Sequence, residues 1–220
     1  EHLRELGLDA QDRGDISTPI REAVTFGDPA RKFAPQIATV CRELHERSLQ
    51  SLTQGAVPLV LGGDHSIGAG SVSATATATR NRTGLPLGLL WVDAHGDMNT
   101  PDTTPSGNVH GMPLAALLGG EPRELVDFAM QPVVRPEHTV LLGLRNIDAR
   151  ERTRILASGA PAADGGASSV TIHAGSTGKT GATFSGASNV RRSAGAPAVS
   201  GTPFLRQNER AFLTRLQLTF

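Results

Sequence analysis

Apolar positions along this chain change their period several times. Between 30 and 54, Phe33, Ile37, Val40, Cys41, Leu44 and Leu52 recur at offsets of 4, 3, 1, 3 and 8. That is the stripe of an amphipathic helix with charges on its other face. Ser48 takes the stripe position between Leu44 and Leu52, Leu49 lies at its edge, and Gly55 ends the pattern. The run Val57-Pro58-Leu59-Val60-Leu61 then predicts a buried strand that stops at Gly62-Gly63. A second helix is expected over 67–80, in spite of its many Thr and Ser residues. Further apolar runs at 87–92 and 139–144 read as strands, and 113–118 and 150–156 as helices. Strands that are apolar throughout and alternate with helices predict a doubly wound parallel α/β sheet covered on both faces. In such sheets ligands collect beyond the carboxyl ends of the strands.

The chain has 220 residues, 38% of them hydrophobic, enough to bury the core of one α/β domain. No run approaches the roughly 20 apolar residues of a membrane-spanning helix. Basic and acidic residues balance at 21 each, which argues against nucleic acid or a membrane surface as the main partner. A single cysteine, Cys41, excludes an internal disulfide and fits a reducing, cytoplasmic setting. The chain opens at Glu1 without a signal-peptide pattern, and the expectation is that its true N-terminus is missing.

The neutrality is not uniform. Residues 160–220 carry six basic groups and two acidic ones, whereas 1–159 carry 15 basic and 19 acidic groups. Within 160–200, 28 of 41 residues are Gly, Ala, Ser or Thr, without a sustained apolar period. Such a composition cannot offset the entropy of ordering, so 1–159 is read as the folded domain and 160–220 as a disordered or poorly packed tail.

Polar residues cluster where the predicted strands end. Gly62-Gly63-Asp64-His65-Ser66 follows the first run, and Asp93-Ala94-His95-Gly96-Asp97 follows Val92. Alternate side chains of extended chain share a face, so Asp93, His95 and Asp97 can converge, joined by His65 from the neighbouring strand end. This nitrogen and oxygen set suits Mn²⁺, Fe²⁺ or Zn²⁺, and the absence of thiolates argues against a structural zinc site. A carboxylate flanked by other ligands could bridge two ions and activate water between them. Alone, Asp-x-His-x-Asp also reads as a polar strand exit; the paired Gly-Gly-Asp-His about 30 residues upstream favours the metal reading. The loop from Met98 to Gly111 is rich in short donors and acceptors restrained by Pro and Gly, a composition suited to holding substrate and equally to an ordinary surface loop. His110 in that loop is either a surface histidine or a proton shuttle.

Taken together, Val60-Leu61-Gly62-Gly63-Asp64-His65-Ser66, Trp91 through Pro101 and Ser106 through Leu114 resemble arginase, of the ureohydrolase family. Gly143-Leu144-Arg145-Asn146-Ile147-Asp148 resembles a later strand of that family and its exit, and the resemblance runs from about 3 to 159. It implies the family's doubly wound fold, a site for two Mn²⁺ ions, and hydrolysis of L-arginine to L-ornithine and urea by a metal-bridging hydroxide. It implies His65, Asp93, His95 and Asp97 as four of six metal ligands, with Asp93 between the ions. His110 corresponds to the proton shuttle, and Asp97 is assigned a catalytic role beside its ligand role. Asn99, Thr104, Ser106 and Asn108 correspond to the loop that holds the substrate's α-carboxylate, with Asp148 and Glu151 facing its α-amino group. The Ser-Gly-Asn sequence before His110 favours arginine over agmatine, which has no α-carboxylate.

The family draws its last two ligands from a later Asp-x-Asp, and no Asp-x-Asp follows Gly159 here. The expectation is therefore a truncated or frame-disrupted arginase with a weak second ion site and poor activity. A catalytically impaired relative acting as a binding or oligomer-modulating protein, and an agmatinase, are the alternatives. The family is homo-oligomeric, largely through late-chain elements absent from this sequence.

Overall fold

The computed structural model describes residues 2–5, 7–164, 170–173 and 181–184. A short helix α1 (His2–Glu5) precedes α2 (Ala34–Thr53) and α3 (Ile67–Thr83). Then come β1 (Leu89–Val92), α4 (Pro113–Leu117), β2 (Thr139–Leu144), α5 (Ala149–Ser158) and β3 (Ala162–Asp164). The strand order is β1-β2-β3 and both pairings are parallel. The units β1-α4-β2 and β2-α5-β3 are thus the crossovers a parallel sheet requires. A separate antiparallel pair joins β4 (Val170–His173) to β5 (Gly181–Phe184).

The predicted amphipathic helix is α2. Its buried residues include Cys41, Leu44, His45 and Ser48, so the polar Ser48 does occupy the stripe. Helix α3 is built from small residues because α2 lies against it. A Cβ at Gly70 would come within 2.5 Å of the Cys41 carbonyl oxygen. The Cys41 thiol donates to the Ser66 carbonyl at 3.3 Å, and burial pushes its pKa up to about 12. Its sulfur acts here as packing between the helices rather than as a nucleophile. Around this contact, Leu114, Leu117, Leu125 and Leu141 are fully buried, each worth about 1.5–3 kcal/mol relative to exposure.

Two expectations need correction. Residues 57–61 form no strand, and Val57, Leu59 and Leu61 are 59%, 64% and 85% exposed. An apolar run becomes a buried strand only when a neighbour accepts its hydrogen bonds and covers its faces. Among the described residues the three-stranded sheet supplies no such neighbour, and β1 pairs with β2. The second correction concerns the boundary at 159. Ala162–Asp164 is the third strand of the sheet, paired with β2, so the folded part continues past Gly159. Apart from β4 and β5, the tail beyond 164 lies outside the described residues.

Candidate metal centre and substrate loop

The sheet aims its strand exits at one place. Asp93 continues the ladder of β1 by donating its N–H to the Leu142 carbonyl. The Ala94 carbonyl accepts the N–H groups of both Arg145 and Asn146, 2.9 Å each, which ties the exits of β1 and β2 together. Beyond this tie the chain turns sharply at Asp97, whose φ of 50° lies in the left-handed region. That conformation is uncommon for a residue with a Cβ and persists where the surroundings over-determine it. Here the Asp97 carbonyl accepts from Leu114 and Ala115 at the start of α4, 3.0 and 3.1 Å away. Helix α5 holds the same turn from another side. Glu151 accepts the Met98 N–H at 3.1 Å, and Arg154 one turn later donates to the Met98 carbonyl at 2.7 Å. The helix seats this closely because residue 96 is glycine: a Cβ there would stand 2.7 Å from Ile155 Cδ1.

Ligand-type atoms of His65, Asp93 and Asp97 all lie within 4.8 Å of one another. His65 Nδ1 is 2.8 Å from Asp93 Oδ2 and 2.5 Å from Asp97 Oδ2. The imidazole is stacked on Trp91, ring centroids 4.3 Å apart and planes 23° from parallel. This platform fixes the ring face-on and leaves its nitrogens to the carboxylates. The other oxygen of Asp93 faces His95: Oδ1 accepts the His95 backbone N–H at 3.0 Å and stands 3.1 Å from His95 Nδ1. Asp93 thus has one oxygen toward each histidine. The His95 side chain is 54% exposed, and Asn146 Nδ2 lies 3.5 Å from its Nε2. Among the described residues, the three-residue group does not include His95.

Electrostatics separates the two carboxylates. Burial alone would raise Asp93, but the His65 hydrogen bond and the His95 N–H outweigh it and hold the group at about 2. Burial dominates at Asp97 and raises its pKa, with His65 opposing. Its Oδ2 is buried, in ion-pair contact with His65, and makes no aligned hydrogen bond. A buried carboxylate oxygen without an aligned donor, beside a second carboxylate and an imidazole, is the chemistry of a divalent cation site. The donor set fits a metal.

The expected substrate loop is held by its own short side chains. Thr104 Oγ1 accepts from the backbone of Ser106 and Gly107 at 3.3 and 2.9 Å, and Ser106 Oγ accepts from Asn108 N at 3.1 Å. Lys32 pins the loop from outside, its N–H donating to the Gly107 carbonyl and its Nζ to the Ser106 carbonyl at 2.8 Å. Ser106 and Asn108 remain exposed. Asn99 and Asp148, which the sequence treated separately, meet: Asn99 Nδ2 donates to Asp148 Oδ2 at 2.8 Å. Asp148 Oδ1 accepts the N–H groups of Arg150 and Glu151 and so caps α5. Its slight burial raises the pKa, but these donors prevail and lower it. Glu151 is more enclosed than Asp148. It is buried, turned to the Met98 backbone, and its pKa is raised by that burial. From there it holds the Asp97 turn through the Met98 N–H.

Sequence reasoning missed three contributors: Trp91 as the ring platform, Asn146 beside His95, and Asp64, whose Oδ2 is 3.4 Å from His110 Nδ1. Only Asp64 carried a signal, its position directly before His65.

Comparison with known proteins gives a consistent result. Residues 2–164 match the family model described as the Arginase family. The chain is 42% identical over 152 residues to an arginase of Staphylococcus aureus (strain MSSA476), covering 68% of this chain and 48% of that one. Its structure is similar to that of the arginase from Bacillus caldovelox, with TM-score 0.66 and 39% identity over 74% of this chain and 53% of the other. An Entamoeba histolytica arginase solved in complex with L-ornithine has TM-score 0.53 and 31% identity, covering 61% of this chain and 45% of its own. The chain therefore spans about half the length of the relatives it matches. With a family model covering 2–164, and with a His–Asp–Asp group at the exits of a parallel sheet, this chain belongs to the arginase family.

Proposed function

We propose that this site hydrolyses a guanidinium C–N bond, converting L-arginine and water to L-ornithine and urea. The observation that carries the reading is the convergence of His65, Asp93 and Asp97, with the second Asp93 oxygen turned to His95. These four residues would hold Mn²⁺, the ion proposed on the family likeness and the hard nitrogen and oxygen donors. When bound, such an ion supplies Lewis acidity and activates water near neutral pH.

The chain's own groups do the rest. Exposed Ser106 and Asn108, with Thr104 and Asn99 shaping the loop behind them, offer hydroxyl and amide donors to an α-carboxylate. Agmatine would leave those donors unpaired, which is why arginine is the proposed substrate. Asp148, its charge kept by three donors, supplies a negative partner for the α-amino group. Asp97 keeps its carboxylate against His65, and His110 would carry a proton to the leaving amine. The ornithine complex of the Entamoeba enzyme supports a product of this class. We place the activity in cytoplasmic arginine breakdown, with the single cysteine as support.

The two halves of the site are unequal. His65, Asp93 and Asp97 surround one position, whereas exposed His95 shares only Asp93. The expected result for the full chain titrated with Mn²⁺ is one tightly held ion, lost in His65→Ala, and slow urea release from arginine in excess of any from agmatine. Failure to retain an ion would overturn the metal centre. Retention of one ion without urea would leave a binding protein built on the arginase fold, and preference for agmatine would reassign the substrate.

A further inference from the structure

Asp64 stands between two parts of the site that are far apart in sequence. Its Oδ1 accepts the Ser66 backbone N–H at 2.8 Å and so forms the turn that carries His65 into α3. Its Oδ2 lies 3.4 Å from His110 Nδ1, on the 3-10 turn Val109–Gly111. Each side chain is about half exposed, and an ion pair in that setting contributes little to stability. Its consequence is orientation.

A neutral imidazole has one nitrogen that donates and one that accepts. An ionised carboxylate only accepts. At 3.4 Å the negative charge of Asp64 favours a hydrogen on the nitrogen facing it, which leaves the lone pair on Nε2. We infer that Asp64 is a positioning residue for His110, selecting the Nδ1–H tautomer and presenting Nε2 as the proton-accepting atom. The role in catalysis rests on the proposed function of His110, but the tautomer does not. Asp64 also couples the proton carrier to the metal centre mechanically, since the next residue is His65.

One substitution separates this from a bland surface pair. Asp64→Asn retains a carbonyl oxygen for the Ser66 N–H, so the turn is satisfied, and the amide NH₂ is then directed at His110 Nδ1. A donor in that place demands the opposite tautomer. The test uses the full chain labelled with ¹⁵N-histidine at a pH of about 8.5, where an ordinary histidine is neutral. Long-range ¹H–¹⁵N correlation spectra report the tautomer, and His110→Gln assigns the signal. The expected result is Nδ1–H as the major form in the unmodified chain and Nε2–H as the major form in Asp64→Asn. A major Nε2–H form in the unmodified chain, as an unrestrained histidine shows, would overturn the proposal even if the variant fails to fold. So would an unchanged tautomer in the folded variant. Urea assays of His110→Gln address the proton-carrier reading separately: unchanged turnover would remove that reading and leave the tautomer result standing.

Discussion

At the scale of single residues, the site depends on backbone positions that tolerate no extra atom. Gly107 has φ +72°, and a Cβ there would lie 1.8 Å from the Pro29 carbonyl oxygen. The loop with Ser106 and Asn108 therefore reaches its place only with glycine between them. Gly107→Ala is expected to destabilise the protein by more than about 1 kcal/mol, read from urea unfolding, because both φ and the Pro29 contact oppose it. A second residue makes stability depend on pH away from the metal centre. His45 is buried on α2 with its ring 5.0 Å from that of Phe128, and Arg42 lies over the other ring at 5.1 Å. Burial lowers its pKa, Glu46 pulls the other way, and Arg42 adds to the lowering. The folded state thus prefers neutral imidazole. Its contribution is complete above the ordinary histidine value of about 6.5 and is lost as pH falls from there toward the lower folded value. Unfolding free energy should decline between pH 7.5 and 5.5, and His45→Leu should flatten that slope; an equal slope in both proteins would exclude His45 as its source.

At the scale of elements, helix α5 links fold to chemistry. Asp148 caps it, Glu151 and Arg154 clamp Met98, and Ile155 fills the space beside Gly96. Asp148→Ala removes the acceptor for two backbone N–H groups and the partner of Asn99, and should cost about 1 kcal/mol in thermal or denaturant unfolding. The conservative Asp148→Asn should recover most of that loss, since an amide oxygen also caps. The elements themselves were largely legible: 139–144 is β2 at its predicted bounds, and helices appear at 34–53, 67–83, 113–117 and 149–158. Local periodicity marks the helix at 34–53, whereas 67–83 is buried at every position from Gly68 to Ala76 and is held by its packing against α2. The run 57–61 has the same apolar composition, but its partner had to be supplied by another strand, and no local pattern encodes whether one is present. The reverse holds for Ala162–Asp164, whose weak pattern is overridden by pairing to β2.

At the scale of the whole molecule, the chain matches about half the length of its arginase relatives, and part of its described surface is apolar. Val57, Leu59 and Leu61 stand exposed, and among the described residues β1 is an outer strand of its sheet, features that favour self-association. Because these side chains are already in water, replacing them should cost within about 0.5 kcal/mol. The double variant Leu59→Lys/Leu61→Lys is expected to keep its melting temperature while losing concentration-dependent light scattering. A large fall in melting temperature would mean that the segment is covered in solution.

The residue types at Gly62–Ser66 and Asp93–Asp97 already pointed to a divalent-cation chemistry, because ligand type and spacing are local properties of the chain, whereas the composition of 98–111 suited a substrate loop and an ordinary surface loop equally. Likewise the periodicity announced a parallel α/β arrangement, since hydrophobic period follows backbone geometry. What tertiary contact alone settled was which groups meet. It joined Asn99 to Asp148, turned Glu151 inward, set His65 on Trp91 and brought Asp64 to His110. It also left His95 half exposed and, among the described residues, 57–61 outside the sheet. Those outcomes depend on packing between segments tens of residues apart, where geometry rather than residue type decides what a side chain can reach.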